Sequence, residues 1–263
     1  MSQTWMITAP KRTEPDQWGI AHPTSKREIR ILLDKFDVKD YTIGIEKGKN
    51  GYEHFQMRVT VSGDDFFERI HAIEPQWHIE KAEVSTSDYE RKEGRFWASN
   101  DTLEIRQQRF GRLTIGQEIV MGVLEKNNDR QITVWITIRG GYGKSWLAGH
   151  LWETGKAHIC QSQDTVKGMI QDVASDFMNH GWRPYIVIDI PRTWKWTDDL
   201  CCAIERLKDG LVKDTRYNAK TINIRGVKIL ILTNETPKLH KLSEDRWVII
   251  DTRRRALSSE SIS

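Results

Sequence analysis

Three uninterrupted apolar runs in the second half of the chain constrain its fold more than any other feature. They are "PYIVIDI" (184–190), "VKILILT" (227–233) and "RWVIID" (246–251). Strands without polar alternation are typically buried on both faces, as in parallel sheets covered by helices. With "QITVWITI" (131–138), these runs predict an α/β domain over residues 129–252.

The first hundred residues show a different pattern, in which polar and apolar side chains alternate. "YTIGIE" (41–46) and "EHFQMRVTV" (53–61) are predicted strands, and the Asn-Gly step between them favours a hairpin. Further strands are predicted at 3–9 and 77–84, and helices at 25–36, 64–73 and 85–97. Residues 1–102 are therefore predicted to form an α+β domain with a central antiparallel sheet and flanking helices.

Residues 103–128 connect these two regions. Their apolar residues have the spacing of one short helix, so we predict a linker or oligomerisation helix there. Residues 253–263, with three arginines followed by a serine-rich end, are predicted to be a disordered tail.

Composition limits the class of protein without identifying it. The chain has 263 residues, 38% hydrophobic and 29% charged, with a net charge of +3. No apolar run has the ~18–20 residues needed to span a bilayer, so no membrane partner is expected. Its three cysteines form neither a disulfide framework nor a zinc-binding pattern, which favours a reducing cell interior.

A glycine-rich loop, "RGGYGKSW" (139–146), lies between a predicted strand and a predicted helix. Glycines let backbone N–H groups approach phosphate oxygens, and the helix N-terminus adds positive potential. Lys144 would reach the β- and γ-phosphates, and Ser145 would bind Mg²⁺. The first glycine of the usual motif is replaced by Ile138, so Gly140 and Gly141 are expected to supply the turn before Gly143.

Polar residues follow two of the buried runs. Asp189 ends one predicted strand, where a carboxylate would hold Mg²⁺ or its waters, and Asn234 ends another, where it would orient the attacking water. With the glycine-rich loop, these strand ends predict a site for a nucleoside triphosphate and Mg²⁺.

The polar face of the second hairpin strand carries His54 and Gln56, two potential metal ligands. Glu46, at the end of the preceding strand, is the predicted third ligand, and Glu80 is the rival carboxylate. One histidine, one amide oxygen and one carboxylate suit Mg²⁺ or Mn²⁺.

Tyr89 and Lys92 are three residues apart in a predicted helix, so they would share a face. A tyrosine is a weak nucleophile at neutral pH and needs a metal and a cation nearby to attack a phosphodiester. The pair is therefore a candidate catalytic centre beside the predicted metal site.

The full set of motifs resembles the Rep proteins of small circular single-stranded DNA viruses, which initiate rolling-circle replication. The motifs are "WMITAP", "EHFQMRV", "HIEKA…DYERKEG", "RGGYGKSW", "IVIDIPR" and "ILILTN", in the family's order. The resemblance is nearest to smacovirus, nanovirus and circovirus Rep, and it spans nearly the whole chain.

The resemblance implies an N-terminal HUH endonuclease, whose metal would be Mn²⁺ or Mg²⁺. His54, Gln56 and Glu46 would hold this metal, Tyr89 would attack the origin strand, and Lys92 would orient or neutralise the phosphate. The nicked strand would remain attached through a 5′-phosphotyrosine, and a DNA 3′-OH would later close the circle.

The second half would be a superfamily 3 helicase, an AAA+-like P-loop ATPase that uses ATP and Mg²⁺. Lys144 and Ser145 would bind the nucleotide, Asp189 would be the Walker B carboxylate, and Asn234 would be the sensor. The resemblance further implies Lys220 as a DNA-gripping residue of a hairpin and Arg246 as an arginine finger acting on a neighbouring subunit's nucleotide. Ile190 follows Asp189 where many relatives have a second acid, so the carboxylate that activates water is unassigned.

The implied partners are single-stranded and stem-loop origin DNA, the host replication machinery and further copies of the chain, usually in a ring of six. The implied location is the host cell interior: the nucleus of a eukaryotic host or the cytoplasm of a prokaryotic one. The alternative interpretation is an origin-binding P-loop ATPase that does not nick DNA.

Overall fold

The computed structural model describes residues 2–11, 19, 25–63, 65–83, 86–137, 139–160, 165–216 and 219–252. The chain forms two compact units, Met1–Gln107 and Gln108–Ser263. The division falls five residues beyond the predicted boundary at residue 102. Arg253 to Ser263, the predicted tail, lies outside the described residues.

The first unit is built around one antiparallel sheet. Its strands are β1 (Ser2–Pro10), β2 (Asp40–Lys47), β3 (Glu53–Ser62), β4 (His78–Lys81) and β5 (Phe96–Ala98), in the spatial order β4-β1-β3-β2-β5. Its helices are α1 (Lys26–Lys35), α2 (Phe66–Ile73), α3 (Asp88–Arg91) and α4 (Leu103–Phe110), which crosses the division between the units. The predicted antiparallel sheet is confirmed.

The two faces of this sheet have different roles. Alternate residues of β3, among them Phe55, Met57 and Val59, are fully buried and form a core with α1 and α2. Because successive side chains of a strand point to opposite faces, the residues between them lie on the other face of the sheet. The predicted metal ligands are on that second face.

Helix α1 begins where the sequence indicates. Ser25 accepts a hydrogen bond from the backbone of Glu28, whose side chain returns to the backbone of Ser25, completing a capping box. Helix α3 is shorter than predicted for residues 85–97, since only Asp88–Arg91 is helical among the described residues 86–97.

The second unit contains a parallel sheet. Its strands are β6 (Ile132–Ile136), β7 (Ala157–Cys160), β8 (Tyr185–Asp189), β11 (Lys228–Thr233) and β12 (Trp247–Asp251), in the order β12-β6-β11-β8-β7. Its helices are α5 (Ile115–Lys126), α6 (Lys144–Glu153), α7 (Val166–His180) and α8 (Asp198–Asp209). A separate antiparallel hairpin joins β9 (Leu211–Asp214) and β10 (Lys220–Asn223). The predicted parallel arrangement of the apolar runs is confirmed.

Parallel pairing brings the carboxyl ends of β6, β11 and β8 to one edge of the sheet. β11 is hydrogen-bonded to β6 on one side and to β8 on the other. Ligands of open α/β sheets bind at this edge, because the loops after the strands are grouped there.

The short helix predicted within residues 103–128 is found as α5, and a further helix, α4, precedes it. Two helices, α4 and α5, occupy this region, and α5 packs into the second unit through Val120, Met121 and Leu124. Apolar residues at helical spacing include Ile115 and Ile119, but these side chains are exposed. The proposed oligomerisation role of this segment stays a prediction.

Among the described residues, no helix combines the length and apolar character required to cross a bilayer.

Candidate active sites

The predicted metal ligands of the first unit meet on the polar face of its sheet. Glu46 of β2 lies directly opposite His54 of β3, and their side chains approach to 3.7 Å between Oε2 and Nε2. Gln56, two residues further along β3, is buried on the same face. Its Oε1 accepts a 2.8 Å hydrogen bond from Thr8 of β1, and the oxygen retains a second lone pair for a ligand.

One atom of this group has no hydrogen-bond partner. Glu46 Oε2 is buried beside His54 and makes no hydrogen bond. Leaving a carboxylate oxygen buried without a partner is costly, and a cation would remove that cost. The donor set of imidazole nitrogen, amide oxygen and carboxylate therefore fits Mg²⁺ or Mn²⁺. The described residues contain no cluster of three or more His, Cys, Asp and Glu side chains, so the candidate site depends on Gln56.

The rival carboxylate, Glu80, is placed less favourably. It belongs to the edge strand β4, which is separated from β3 by β1. Neighbouring strands are about 4.8 Å apart, so Glu80 starts about 10 Å away from the β3 backbone. Its exposed side chain lies 3.6 Å from His78 of its own strand. The geometry therefore favours Glu46.

Helix α3 brings the predicted nucleophile to the same group. The Lys92 ammonium lies 2.5 Å from Glu46 Oε1 and 3.7 Å from the centre of the Tyr89 ring. Burial lowers the pKa of Lys92, but hydrogen bonds to Glu46 and Tyr89 outweigh it and raise the pKa above its ordinary value. Lys92 is therefore a cation at neutral pH, while the Tyr89 side chain remains half exposed.

A buried ion pair attaches α3 to the sheet. Glu90, the residue after Tyr89, lies 3.2 Å from Arg58 of β3, and both side chains are almost completely buried. Beneath the helix, Gly44 of β2 leaves room for its backbone, since a Cβ there would lie 2.1 Å from the Glu90 carbonyl oxygen. These contacts set the position of the Tyr89 backbone relative to β2 and β3.

The glycine-rich loop of the second unit leads into α6 as predicted. Gly143 is the N-cap residue of α6 with a positive φ of 76°, and Gly141 has a φ of 90°, conformations that favour glycine. No side chain caps the helix, and its first turn has no acidic residue. The N–H groups and positive potential of this helix start are therefore suited to an anion. Ile138, the departure from the usual motif, lies outside the described residues.

Polar side chains at the strand ends converge on this loop. Lys144 Nζ donates to the Thr233 carbonyl at the end of β11, at 2.7 Å, and Ser145 Oγ donates to Asp189 Oδ2 at the end of β8, at 3.1 Å. Asn234 donates to the Thr137 carbonyl at 2.8 Å, which connects β11 to the strand before the loop. Partial burial lowers the pKa of Lys144, assisted by Arg192 and opposed by Asp189.

These groups line one cleft of about 660 Å³. Its walls comprise Arg139, Gly140, Gly141, Tyr142, Gly143, Lys144, Ser145, Trp146, Asp189, Ile190, Pro191, Arg192 and Asn234. Asp189 is the only carboxylate among these described lining residues. Position 190, where many relatives of the resembled family have a second acid, is an isoleucine that is 2% exposed and packs in the core. It supplies no carboxylate to activate water.

Arg246 does not join the cleft. It precedes β12, whose first residues pair with the beginning of β6, so it lies at the amino ends of the strands. Its guanidinium forms ion pairs with Glu205 at 3.4 Å and Asp209 at 3.2 Å, and the residue is 8% exposed. The resemblance implies an arginine finger that acts on a neighbouring subunit's nucleotide, so a position outside this chain's own cleft leaves that role as a prediction.

Lys220 lies on a hairpin, as the resemblance implies. It is the first residue of β10, opposite Asp214 of β9, and it is exposed together with Lys213. The chain between the two strands includes Tyr217 and Asn218, which lie outside the described residues.

Several residues of the two sites were not predicted. Thr8, Arg58 and Glu90 support the sheet face that carries the predicted metal ligands, and Gln117 contacts the glycine-rich loop. Thr8 and Arg58 occupy polar positions in strands whose polar and apolar residues alternate. This pattern could have predicted that they lie on the same sheet face as Gln56. No local pattern could have paired Glu90 with Arg58, or Gln117 with Gly143.

Comparisons with known proteins agree on one kind of relative. No family model matches the chain. The chain is 29% identical over 145 residues to Para-Rep C10 of the Milk vetch dwarf C10 alphasatellite, a match covering 51% of this chain and 46% of that protein. It is 27% identical over 132 residues to the Master replication protein of Faba bean necrotic yellows virus (isolate Syrian SV292-88), covering 50% and 43%. The matched part of the chain thus spans a little under half the length of each relative.

Proposed function

Because the chain is related to the Rep proteins of small single-stranded DNA viruses, we propose that it initiates and terminates rolling-circle replication. In this proposal the first unit is an HUH endonuclease that nicks and joins single-stranded origin DNA. The second unit is a superfamily 3 helicase that unwinds DNA with ATP. The relatives' names support the replication role. The two sites described above support the assignment of the endonuclease to the first unit and of the ATPase to the second.

The observation that carries the nuclease proposal is the position of Lys92. Its ammonium contacts both Glu46, a candidate metal ligand, and Tyr89, the candidate nucleophile. Nucleophile, cation and ligand set are thus within reach of one phosphate group. A bound Mg²⁺ or Mn²⁺ would polarise that phosphate and stabilise its developing charge.

The proposed nicking step uses residues of this chain as follows. The Tyr89 phenol oxygen attacks the scissile phosphorus, and the bond from phosphorus to the 3′ oxygen of the preceding nucleotide breaks. The phenol loses its proton and the released 3′ oxygen is protonated. The products are a 5′-phosphotyrosine and a free 3′-OH, and attack by a DNA 3′-OH on the phosphotyrosine reverses the chemistry to join strands. Lys92 stays protonated and offsets negative charge on the phosphate.

The ATPase proposal rests on the cleft of the second unit. The start of α6 and Lys144 would bind the phosphates of ATP, while Ser145 and Asp189 would hold its Mg²⁺. Asn234, at the end of the adjacent strand, would orient the attacking water. Lys220, exposed on the β9–β10 hairpin, would contact the DNA strand.

The proposed partners follow from this function. They are single-stranded and stem-loop origin DNA, the host replication machinery, and further copies of the chain in a ring, usually of six. The chain would work inside the host cell, in the nucleus of a eukaryote or the cytoplasm of a prokaryote.

The nicking activity is tested by trapping the covalent intermediate. The protein is incubated with Mn²⁺ and a labelled pool of single-stranded stem-loop oligonucleotides with randomised loops, then separated under denaturing conditions. We expect a labelled protein band that is lost with a chelator and in Tyr89→Phe. Tyr52→Phe is the matched control, because Tyr52 is exposed to the same degree, 50% against 48%.

A wild-type protein that forms no band with any loop of the pool would refute the nicking activity. If such a protein still hydrolysed ATP, the alternative of an origin-binding P-loop ATPase without nicking would replace it.

The ATPase activity is tested separately with Lys144→Ala. We expect hydrolysis to fall to background, while Lys167→Ala, an exposed lysine of α7, keeps the wild-type rate. Equal hydrolysis in wild type and Lys144→Ala would refute the assignment of this cleft.

A further inference from the structure

A buried glutamine from the segment before the parallel sheet contacts the glycine-rich loop. Gln117, in the first turn of α5, is 2% exposed and uses both ends of its amide. Its Oε1 accepts a 2.8 Å hydrogen bond from the Thr114 backbone, which caps α5, and its Nε2 donates to the Gly143 carbonyl at 2.9 Å.

The orientation of the Gly143 carbonyl, which accepts this bond, determines the direction of the Lys144 N–H that would face a bound phosphate. The Gly143 carbonyl and the Lys144 N–H belong to one planar trans peptide, in which they point in opposite directions. The same carbonyl accepts the first hydrogen bond of α6 from the Leu147 N–H at 2.9 Å. With the carbonyl held by both donors, the Lys144 N–H at the start of α6 has a fixed direction.

The loop also fits closely around this glutamine. A Cβ added to Gly143 would lie 2.7 Å from Gln117 Nε2, so a larger residue here would displace this amide, and the positive φ of Gly143 also favours glycine. In the sequence motif, a glycine here lets the backbone approach phosphate. In the structure, the same glycine also leaves space for the Gln117 amide on the other side of the loop.

A second glutamine holds the helix that follows. Gln108 Nε2 donates to the Trp146 carbonyl at 3.2 Å, and the Gln108 carbonyl lies 2.7 Å from His150 Nδ1. A Cβ at Gly149 would lie 2.0 Å from Gln108 Nε2, so a larger residue at this position of α6 would displace the Gln108 amide. The start of α6 is thus held by side chains at two points.

From these contacts we propose that Gln117 is a positioning residue of the nucleotide site. It acts through the Gly143 carbonyl and directs the Lys144 N–H at the nucleotide's phosphates. The inference rests on the proposed binding of ATP in this cleft. A segment interpreted from sequence as a linker therefore supplies part of the support of the phosphate loop.

The test compares variants of Gln117, Thr114 and Lys144 by titration calorimetry with Mg²⁺·ATP, inorganic triphosphate and AMP. Gln117→Met keeps the volume of the side chain but cannot donate to Gly143. We expect its Kd for ATP and for triphosphate to rise roughly three- to tenfold, the loss corresponding to one hydrogen bond. The Kd for AMP, which lacks the terminal phosphates, should change less than twofold in the same titrations.

Thr114→Ala is the matched control, because it removes the side-chain half of the α5 cap and leaves the bond to Gly143 in place. Its Kd values should equal those of the wild type. If Gln117→Met and Thr114→Ala weaken triphosphate binding equally, the role of Gln117 is only to cap α5, and the inference is wrong.

A second variant covers the case in which Gln117→Met does not fold. Gln117→Glu keeps the oxygen that accepts from Thr114 but cannot donate to Gly143, so it should also weaken ATP and triphosphate binding. Wild-type Kd values in the folded glutamine variants, with binding abolished in Lys144→Ala, would overturn the inference and leave the nucleotide site standing. Absence of ATP binding in the wild type would instead overturn the proposed nucleotide site itself.

Discussion

At the residue scale, the position of Tyr89 depends on the residue that follows it. A helix of four residues has little stability of its own, so its tertiary contacts determine where its side chains lie. Glu90 supplies the most buried of these contacts through Arg58, and Gly44 allows the helix backbone to approach β2. The Tyr89 side chain is therefore half exposed to solvent while its backbone remains anchored.

Neutralising Glu90 should loosen α3. In Glu90→Gln, the buried Arg58 loses a charged partner, and we expect the local opening free energy of α3 and β3 to fall by about 1–3 kcal/mol. Hydrogen–deuterium exchange of these segments measures the change. Formation of the covalent DNA band should slow in parallel.

The control for this prediction is Glu93→Gln, which changes an exposed carboxylate three residues further along the chain. It should leave both exchange and band formation unchanged. Wild-type exchange in Glu90→Gln would show that the ion pair does not hold the helix.

At the scale of single elements, β7 and α7 contain a buried histidine that should make stability depend on pH. His158 of β7 is 1% exposed, with Nε2 3.0 Å from the Gly181 carbonyl and Nδ1 3.8 Å from Asp176. Burial lowers the pKa of His158 to about 4, with Arg183 and His180 acting in the same direction and the Gly181 carbonyl opposing them. Burial also raises the pKa of the neighbouring Asp176.

The unfolded chain therefore binds a proton at this histidine below about pH 6.5, while the folded chain binds it only near pH 4. The stability contributed by neutral His158 is fully present above about pH 6.5, and it is lost as the pH falls from about 6.5 to about 4. Between pH 7 and pH 5 the loss should be about 2 kcal/mol in urea unfolding of the second unit. In His158→Gln, which still donates to Gly181 but does not titrate, this part of the pH dependence should vanish. An identical pH dependence in the variant would contradict the assignment to His158.

The β9–β10 hairpin carries the DNA-contact prediction. Its exposed Lys220 is expected to neutralise one phosphate of a single strand, releasing a counterion. Lys220→Ala should therefore weaken binding of an oligothymidine and lower the slope of log Kd against log salt concentration by about 0.7. Fluorescence anisotropy over a range of salt concentrations measures both quantities. An unchanged slope, equal to that of Lys167→Ala, would exclude a phosphate contact by Lys220.

At the scale of the whole molecule, the two units have separate cores. One core joins the antiparallel sheet to α1 and α2, and the cores of the second unit lie on the parallel sheet. We therefore expect two unfolding transitions in calorimetry. A ligand that binds only one folded unit raises the stability of that unit, by about 2.7 kcal/mol at a hundredfold excess over its Kd.

Mn²⁺ alone should move the transition of the first unit, and Mg²⁺·ATP should move that of the second. His54→Ala should remove the shift with Mn²⁺, and Lys144→Ala should remove the shift with ATP. A Mn²⁺ shift that survives His54→Ala would place the metal elsewhere in the protein.

Patterns local in sequence predicted the elements that present the sites. The alternation in β3 predicted that His54 and Gln56 share one face. The Asn-Gly step before β3 predicted a hairpin, in which Glu46 lies opposite His54. The apolar runs predicted the parallel strands, because a strand that is buried on both faces has apolar side chains at successive positions. Helix α7 has no counterpart among the predictions, although Met169, Val173 and Phe177 have helical spacing and would have identified it.

The sequence by itself determined the type of each sheet, the glycine-rich loop and the order of the candidate catalytic residues, because all of these depend on neighbours within a few positions. Only the tertiary structure decided which distant side chains meet. It paired Glu90 with Arg58, turned Arg246 towards α8, and joined Gln117 to the glycine-rich loop. The physical reason is that a hydrogen bond or ion pair between remote residues depends on how the elements pack, and side-chain spacing within one element carries no record of that packing.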